Sequence, residues 1–573
     1  MENNIMVFDK QGRELKLQCK IEDIGGRERS YTLINNTQED IPVWEVVVER
    51  GVFENYSDDA MIYADGYEML SQFYKKLSEV TPEDGMMTKG HYKMPQREGF
   101  VVAYNYMYVE QPHKVRLIGA TSCRRFYTEC RFNKYIFEIV QVLGGITVPK
   151  NGELKLESVA VIDADDRNEA LDIYGKMINT HHERRFFPEI PDGWCSWYCY
   201  GPTITKGGII RNLKSAKKQG IKGIKYIQID DGYQPHMGDW LIETRKFGDM
   251  KALCKKIKYE GFEPAMWVAP FIASEKSELL KKHPDWFIKD DNGKPLCTAD
   301  CTFKGWRDAP WYFLDPTHPE AINYIKLVFY IMKKEWGVNY FKLDANAWGA
   351  MPFGKRYDNT VTCVEAYRIG MRAIRETVGP NTFLLGCNAA MFPSIGEVTG
   401  MRVTMDVVRD IGSIKGLASQ CFFRNWMHNV LWTNDPDCLV QVDLKKNIFG
   451  LKNKSESTSL YRYAAAFVRA SGGMMLSGDK LFTLSEYDKR IMGRILDSKR
   501  IAAKFNFDYS MGTIDLGEKK EYIFFNSDDT KCRKFVLPCE GAVYDVFAHK
   551  HMQVKGGYEI ELAPNDAAWF VTE

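Results

Sequence analysis

Between about residue 190 and residue 477, the chain repeats one pattern: a short apolar run, a polar residue at its end, and then an amphipathic segment. The apolar runs predict buried parallel strands, and the amphipathic segments predict helices. The strand candidates are residues 193–198, 223–230, 264–270, 338–344, 382–387, 400–406, 429–433 and 473–477. Eight strands alternating with helices predict a closed (β/α)8 barrel, in which the polar residues after the strands meet at one end.

The segments on either side have a different rhythm. Residues 1 to about 170 alternate short β-rich runs with turn residues, which predicts an antiparallel sandwich, followed by a helix within 163–180. The last seventy or so residues return to short alternating strands. The predicted architecture is therefore α/β: a β-sandwich over 1–185, a (β/α)8 TIM barrel over 186–495, and an antiparallel β domain over 496–573.

Composition narrows the class of partner. Lys and Arg total 77 against 76 Asp and Glu, so no net field attracts nucleic acid or an anionic membrane, and a neutral partner is expected. The first residues carry an acid where a signal peptide needs a base, and no apolar run is long enough to span a bilayer, which predicts a cytoplasmic protein. The 14 cysteines show neither a Cys-x-x-Cys ladder nor neighbouring His residues, so free thiols and no metal are expected.

The candidate chemistry centres on Asp344, which ends the fourth predicted strand two residues after Lys342. A side-chain period of two places both on one face of the strand, and the lysine favours the ionised carboxylate. An Asp at a strand end more often caps a helix, so a second carboxylate is needed. Asp406, at the end of the sixth strand, supplies it. Two carboxylates from different strands are what acid-assisted glycoside cleavage requires, about 5–5.5 Å apart in retaining enzymes.

Other strand ends carry residues suited to a sugar. Asp230 and Asp231 follow the second strand and would repel each other unless each meets hydrogen-bond donors, which sugar hydroxyls are. A calcium site or a solvated acidic turn is the alternative, although calcium prefers more and spaced oxygens. Trp267 on the third strand, with Trp194 and Trp197 at the first, offers faces that pack against a pyranose. A Trp in a barrel is more often part of the core, so none of the three indicates a sugar site by itself.

Eight stretches together resemble the clan D glycoside hydrolases, and most closely the family 36 α-galactosidases, or melibiases. They occur in the family's order at residues 191–198 (PDGWCSWY), 228–233 (QIDDGY), 238–241 (GDWL), 267–271 (WVAPF), 283–286 (HPDW), 341–344 (FKLD), 385–387 (LGC) and 432–438 (WTNDPDC).

The resemblance implies roles for individual residues. Asp344 would be the nucleophile and Asp406 the acid/base, while Asp230 and Asp231 would hold the hydroxyls that distinguish a sugar with an axial 4-OH. The implied lining of the glycone subsite is Lys342, Cys387, Arg402 and Trp267, with Trp194, Trp197 and Trp240 in the same wall or behind it and Asp435 and Asp437 structural. The implied architecture is an N-terminal β-supersandwich, a (β/α)8 barrel and a C-terminal antiparallel β domain.

Three departures from the family pattern bear on specificity. Thr404 and Met405 precede Asp406 where the family has Gly and Pro, and Asp410 follows closely as a rival acid. Leu70 stands where many members place an aromatic residue from the N-terminal domain over the sugar. Asn388 replaces a common Gly beside Cys387, which makes it a further substrate-binding candidate. These changes could admit a 2-acetamido group or a different linkage.

The expected function is a retaining, exo-acting α-galactosidase that releases terminal α-linked galactose from neutral oligosaccharides or glycoconjugates. Three alternatives stay open: an α-N-acetylgalactosaminidase with the same mechanism, a transglycosylase on raffinose-type sugars, and a sugar-binding barrel without catalysis. No cofactor, nucleic acid or membrane is expected, and a homo-oligomer is left open.

Overall fold

The computed structural model describes residues 5–84, 93–185, 187, 189–444 and 458–573. Within them, three regions follow one another along the chain, and all three contribute to one continuous apolar core, for example through Tyr63, Trp194 and Phe505.

The N-terminal region is a sandwich of two antiparallel sheets. The first sheet has, in spatial order, strands Met6–Phe8, Ile41–Val52, Ile136–Val148, Tyr127–Phe132 and Val101–Tyr104. The second has Gly152–Lys155, Glu28–Asn35, Val159–Ala164, Lys114–Ala120, Tyr106–Gln111, Met61–Asp65 and Gln72–Lys76, with Gln18–Ile24 also paired to Glu28–Asn35. The sheets share a buried apolar layer between them, so the predicted sandwich is confirmed.

Helix Arg167–His181 leads from the sandwich to the barrel. Asp166 caps its first turn by accepting hydrogen bonds from the amides of Asn168 and Glu169. Tyr174 on its buried face donates to the carbonyl of Ala120, which fixes the helix against the second sheet.

The barrel consists of eight parallel strands in chain order. They are Gly193–Cys195, Tyr226–Ile229, Glu263–Val268, Tyr340–Leu343, Phe383–Gly386, Gly400–Arg402, Thr433–Asp435 and Leu476–Ser477. Each of the first six strands pairs with the next strand in the chain, and the eighth strand pairs with the first. Two contacts close the gap between the seventh and eighth strands. The amide of Met474 donates to the carbonyl of Asn434, and Leu439 forms a parallel bridge with Ser477. The predicted barrel is therefore confirmed.

The seventh strand begins later than the sequence pattern suggests. Asn429 has a positive φ of 59°, and its amide bonds to the carbonyl of Trp432, so this apolar stretch forms a turn. The prediction of a strand over 429–433 is therefore wrong for all but Thr433. Apolar character alone did not distinguish a turn that contains the buried residues Leu431 and Trp432 from a buried strand.

The principal barrel helices are Lys206–Gln219, Met250–Tyr259, Pro319–Tyr330, Cys363–Val378, Ile411–Arg424, Thr458–Ser471 and Glu486–Leu496. Local capping sets several of their starts, as where Thr362 and Glu365 form a capping box before Cys363–Val378. Among the described residues, no helix has both the length and the apolar character to cross a bilayer.

The C-terminal region is antiparallel, as predicted. Its six-stranded sheet runs Lys504–Phe505, Met511–Asp515, Lys520–Asn526, Asp566–Thr572, Gly541–Asp545 and Lys550–Val554, and Arg533–Val536 pairs separately with Glu559–Leu562. The divisions at 185/186 and 495/496 remain predictions, the second falling at the end of helix Glu486–Leu496.

Candidate active site

Asp344 lies where the fourth barrel strand ends. The strand Tyr340–Leu343 is buried throughout, and the amide of Asp344 still bonds to the carbonyl of Val268 on the neighbouring third strand, at 2.9 Å. The next residue, Ala345, adopts a positive φ of 50°, which turns the chain away from the strand direction. The carboxylate is therefore held on the rigid strand and not on the loop beyond it.

The Asp344 carboxylate accepts three hydrogen bonds. Oδ2 takes the indole N–H of Trp267 at 3.0 Å, and Oδ1 takes the amide of Ala345 at 2.7 Å and Nδ2 of Asn388 at 2.8 Å. Burial raises the pKa of Asp344, but the Lys342 ammonium and these donors outweigh burial and hold the pKa below its usual value. The side chain is thus both enclosed and kept ionised.

Lys342 links Asp344 to Asp230. Its ammonium lies 3.2 Å from Oδ2 of Asp230 and 3.9 Å from Oδ2 of Asp344, and it is almost fully buried. Asp230 also accepts from Nε2 of Gln228 at 2.7 Å and from the amide of Asp231 at 2.9 Å. Burial raises the pKa of Asp230 in spite of the lysine. The sequence-predicted residues Lys342, Asp230 and Asp344 therefore form one charged trio.

Asp231 is held by a different set of side chains. The guanidinium of Arg307 reaches both of its oxygens, with Nη2 at 2.6 Å from Oδ1 and Nε at 3.2 Å from Oδ2. Trp306 and Gln234 donate to it as well, at 3.3 and 2.8 Å. Sequence reasoning missed Trp306 and Arg307, because they lie on the long connection between the third and fourth strands, where no periodicity indicates what a side chain contacts.

Asp406 follows the sixth strand, and its side chain is 57% exposed. Its Oδ1 accepts from Nη2 of Arg402 and from the hydroxyl of Tyr198, both at 3.0 Å. Tyr198 was also missed, although it ends the first of the matching stretches, beside Trp197.

Arg402 is buried and joins Asp406 to Asp437. It is ion-paired to both carboxylates, and Asp437 also accepts the amide of Val407 at 2.7 Å. Burial, together with the nearby charges of Asp406 and Asp435, raises the pKa of Asp437 against the pull of Arg402. Asp437 therefore supports the segment that carries Asp406.

Cys387 is buried within electrostatic reach of both carboxylates. Burial is the largest cause that raises the pKa of its thiol. The charges of Asp344 and, more weakly, Asp406 raise this pKa further, whereas those of Lys342 and Arg402 lower it. The charges of both carboxylates and both cations therefore act on the Cys387 thiol.

Asn388, the next residue, has a positive φ of 41°, which Asn tolerates better than most side chains. Its side chain donates to Asp344, so the position that departs from the family pattern contacts the predicted nucleophile itself.

The tryptophans fall into two groups. Trp267 contacts Asp344 directly and packs edge-to-face against Trp240 and Trp306, with ring centroids 5.8 and 6.3 Å apart. Trp194 is fully buried, and its indole donates to the carbonyl of Asp479 beyond the eighth strand. Trp197 opens a short buried helix, Trp197–Tyr200. The geometry thus brings Trp267 to Asp344 and places Trp194 among core contacts.

The rival acid, Asp410, is a helix cap. Its carboxylate accepts the amide of Ser413 at 2.9 Å and so caps the start of helix Ile411–Arg424.

In the described part of the chain, no group of three or more His, Cys, Asp or Glu residues could hold a metal ion.

Leu70 is half-buried in a loop of the N-terminal sandwich, where its amide bonds to the carboxylate of Glu68 at 2.7 Å. Its carbonyl accepts Nε2 of Gln420 from the barrel at 3.2 Å. The loop that lacks the family's aromatic residue is therefore in direct contact with the barrel.

Comparison with known proteins relates this barrel to a family. The family model described as Melibiase matches residues 196–381. A relative from Flavonifractor plautii, called an A type blood alpha-D-galactosamine galactosaminidase, is 28% identical over 305 residues, which are 48% of this chain. The match spans only 27% of that protein's own length.

Two solved structures share the fold. The alpha-galactosidase TtGalA from Thermus thermophilus has a TM-score of 0.64 at 20% identity, covering 88% of this chain and 97% of that one. The family 36 alpha-galactosidase AgaA from Geobacillus stearothermophilus has a TM-score of 0.63 at 13% identity, covering 99% and 89%. The resemblance drawn from the eight stretches is thereby confirmed: residues 196–381 of the barrel match the Melibiase family model, and solved alpha-galactosidases share the fold of the chain.

Proposed function

We propose that this protein is a retaining, exo-acting glycoside hydrolase that releases terminal α-linked galactose from a neutral oligosaccharide or glycoconjugate. The observation that carries the proposal is the Asp344 carboxylate. It is buried at the end of the fourth barrel strand and held ionised by Lys342, and a second, exposed carboxylate, Asp406, follows the sixth strand at the same end of the barrel.

In the first step, an oxygen of Asp344 attacks the anomeric carbon while the bond from that carbon to the departing oxygen breaks. Asp406, in its acid form, gives that oxygen a proton, so the aglycone leaves as a neutral alcohol. In the second step, Asp406 removes a proton from water, the water oxygen attacks the anomeric carbon, and Asp344 is released. Two inversions leave the anomeric configuration unchanged.

Each neighbour has a part in this scheme. Lys342 and the donors on Asp344 keep the nucleophile ionised, and Asp230 gives the sugar an acceptor within the same trio. Trp267 fixes one oxygen of Asp344 and offers an aromatic face beside it. Arg402 and Tyr198 direct the Asp406 side chain.

A second candidate substrate is an α-linked galactosamine or N-acetylgalactosamine. The Flavonifractor relative is named for galactosamine, and Asn388 and Leu70 are the positions that depart from the family pattern on the glycone side. A non-catalytic sugar-binding barrel is a weaker alternative, since both carboxylates of the hydrolytic scheme and the lysine are present. A transglycosylase would use the same two carboxylates and would be recognised by a product that depends on acceptor concentration.

The test compares p-nitrophenyl α-galactoside with its 2-acetamido and 2-amino analogues, using wild-type enzyme and Asp344→Asn. We expect the highest kcat/KM on the galactoside and no turnover by the variant. A higher value on either 2-substituted sugar would transfer the assignment to that sugar. Release from none of the three would overturn the hydrolase proposal.

A further inference from the structure

A loop of the N-terminal sandwich, residues 65–72, reaches the barrel beside both proposed catalytic carboxylates. It joins strand Met61–Asp65 to strand Gln72–Lys76. Its anchor is Asp65, which pairs with Arg424 at 2.5 Å, and both side chains are completely buried. The guanidinium of Arg424 also donates to the carbonyls of Met69 and Ser71, which fixes the backbone of the loop.

On one side, the loop reaches Asp344 through Asn388. The amide N–H of Asn388 bonds to Sδ of Met69 at 3.3 Å, and its side-chain Nδ2 donates to Oδ1 of Asp344 at 2.8 Å. A second contact supports this edge, where the hydroxyl of Tyr67 donates to the carbonyl of Ala350 at 2.7 Å. Met69 therefore contacts the residue whose side chain holds the nucleophile.

On the other side, the loop reaches the Asp406 segment through Gln420. Oε1 of this buried side chain accepts the amide of Met405, the residue before Asp406, at 2.7 Å, and Nε2 donates to the carbonyl of Leu70 at 3.2 Å. Gln72 in turn donates to the backbone carbonyl of Gln420 at 2.9 Å. Arg424 adds a bond to the carbonyl of Val403 at 2.9 Å.

We propose that this loop holds the two carboxylates in register, with Asn388 as the positioning residue for Asp344 and Gln420 as the positioning residue for Asp406. The amide group of Gln420 suits this task because it accepts from the Asp406 segment and donates to the loop at once. Asn388 joins the two parts through two donors, its backbone N–H toward the loop and its side chain toward Asp344. The inference rests on the proposed function and adds to it a role for the N-terminal sandwich in catalysis.

Gln420→Met nearly keeps the volume of the side chain but removes its acceptor for Met405 and its donor for Leu70. An acid/base that is poorly placed slows the departure of an alkyl alcohol more than that of dinitrophenol, which needs little protonation. We expect kcat on methyl α-galactoside to fall about tenfold more than kcat on dinitrophenyl α-galactoside. Ser419→Ala, at the exposed neighbouring position, is the matched control and should match wild type on both.

Asn388→Gly removes the donor to Asp344 while suiting the positive φ at this position. The pKa of Asp344 should rise, so the acidic limb of kcat/KM should move to higher pH, equally for both substrates. Met69→Leu, which removes the sulfur acceptor, should move it in the same direction by a smaller amount.

The outcomes separate the two proposals. Equal loss on both substrates in Gln420→Met, or an unmoved acidic limb in Asn388→Gly, would overturn the positioning roles while an active wild type leaves the hydrolase assignment in place. A wild-type enzyme that releases sugar from neither substrate would overturn the hydrolase assignment and this inference with it.

Discussion

The surroundings of Asp344 and Asp406 differ in the properties that control what a carboxylate can do. Asp344 is buried and meets three hydrogen-bond donors and a lysine, whereas the side chain of Asp406 is 57% exposed and meets one arginine and one tyrosine. An enclosed, ionised oxygen is suited to attack carbon, because water cannot compete for it. An exposed carboxylate can exchange protons with water between the two steps. The contrast favours Asp344 as the nucleophile and Asp406 as the acid/base.

Asp344→Asn tests most directly the difference in role between Asp344 and Asp406. The amide cannot form the covalent bond to the sugar, so turnover of every α-galactoside should fall by at least about a thousandfold. Product release measures the rate, and calorimetry with galactose measures binding, which should persist. A variant that kept more than about a tenth of wild-type turnover would remove Asp344 from the nucleophile role.

Asp406→Ala should divide substrates by leaving group. Loss of general acid catalysis costs about 100-fold to 10,000-fold where the aglycone must be protonated, and much less for dinitrophenyl galactoside. Burst kinetics on the activated substrate should show the covalent intermediate accumulating, since its hydrolysis lacks a base. Asp410→Ala is the control, because Asp410 caps a helix, and a leaving-group effect there would give the acid role to Asp410.

Lys342→Met tests how Asp344 stays ionised. Without the ammonium 3.9 Å from Oδ2, the pKa of Asp344 should rise, because burial then acts with less opposition. A carboxylate with a depressed pKa stays active down to that lower pKa, so the variant should lose activity at a higher pH. The ratio of kcat/KM on the acidic limb to kcat/KM at neutral pH should therefore fall below that of the wild type, and an unchanged ratio would remove Lys342 from this role. Lys342→Arg, which keeps the charge, should change the profile less.

Arg307→Ala tests the carboxylate that lies outside the trio. Asp231 would lose its forked partner, and a glycone that contacts it should bind less well. We expect a rise in KM of about tenfold with a smaller change in kcat, measured on p-nitrophenyl α-galactoside. Arg307→Lys should recover only part of the loss. A change confined to kcat would mean that Asp231 acts on the reacting centre after all.

The parts of this molecule that depend on local pattern could be predicted from the sequence. Seven of the eight barrel strands fall within their predicted ranges or within a residue of them, because each is a short apolar run ending in a polar residue. The seventh barrel strand begins later than predicted, because the residues after Asn429 form a turn. These residues are apolar, so only the backbone hydrogen bonds distinguish the turn from a strand. The contact of Lys342 with Asp344 followed from the period of a strand.

Other parts depend on contacts between distant segments. Arg307 comes from a loop of irregular structure, Tyr198 from a helix of a single turn, and Gln420 from near the end of a barrel helix. None of these settings has a local signature, since each side chain has a partner more than 70 residues away in the sequence. The same limit applies to Asp231, because the sequence could not show that its carboxylate accepts hydrogen bonds from protein side chains.

Covalent bonding of Asp344 to the sugar is the most direct point to test. A 5-fluoro-α-galactosyl fluoride should form a glycosyl-enzyme that turns over slowly, and peptide mass spectrometry after digestion should find the fluorinated hexosyl label on the peptide that contains Asp344. We predict label at that residue and none in Asp344→Asn. Label on another carboxylate, or hydrolysis that yields the inverted anomer with no label at all, would contradict the proposed mechanism.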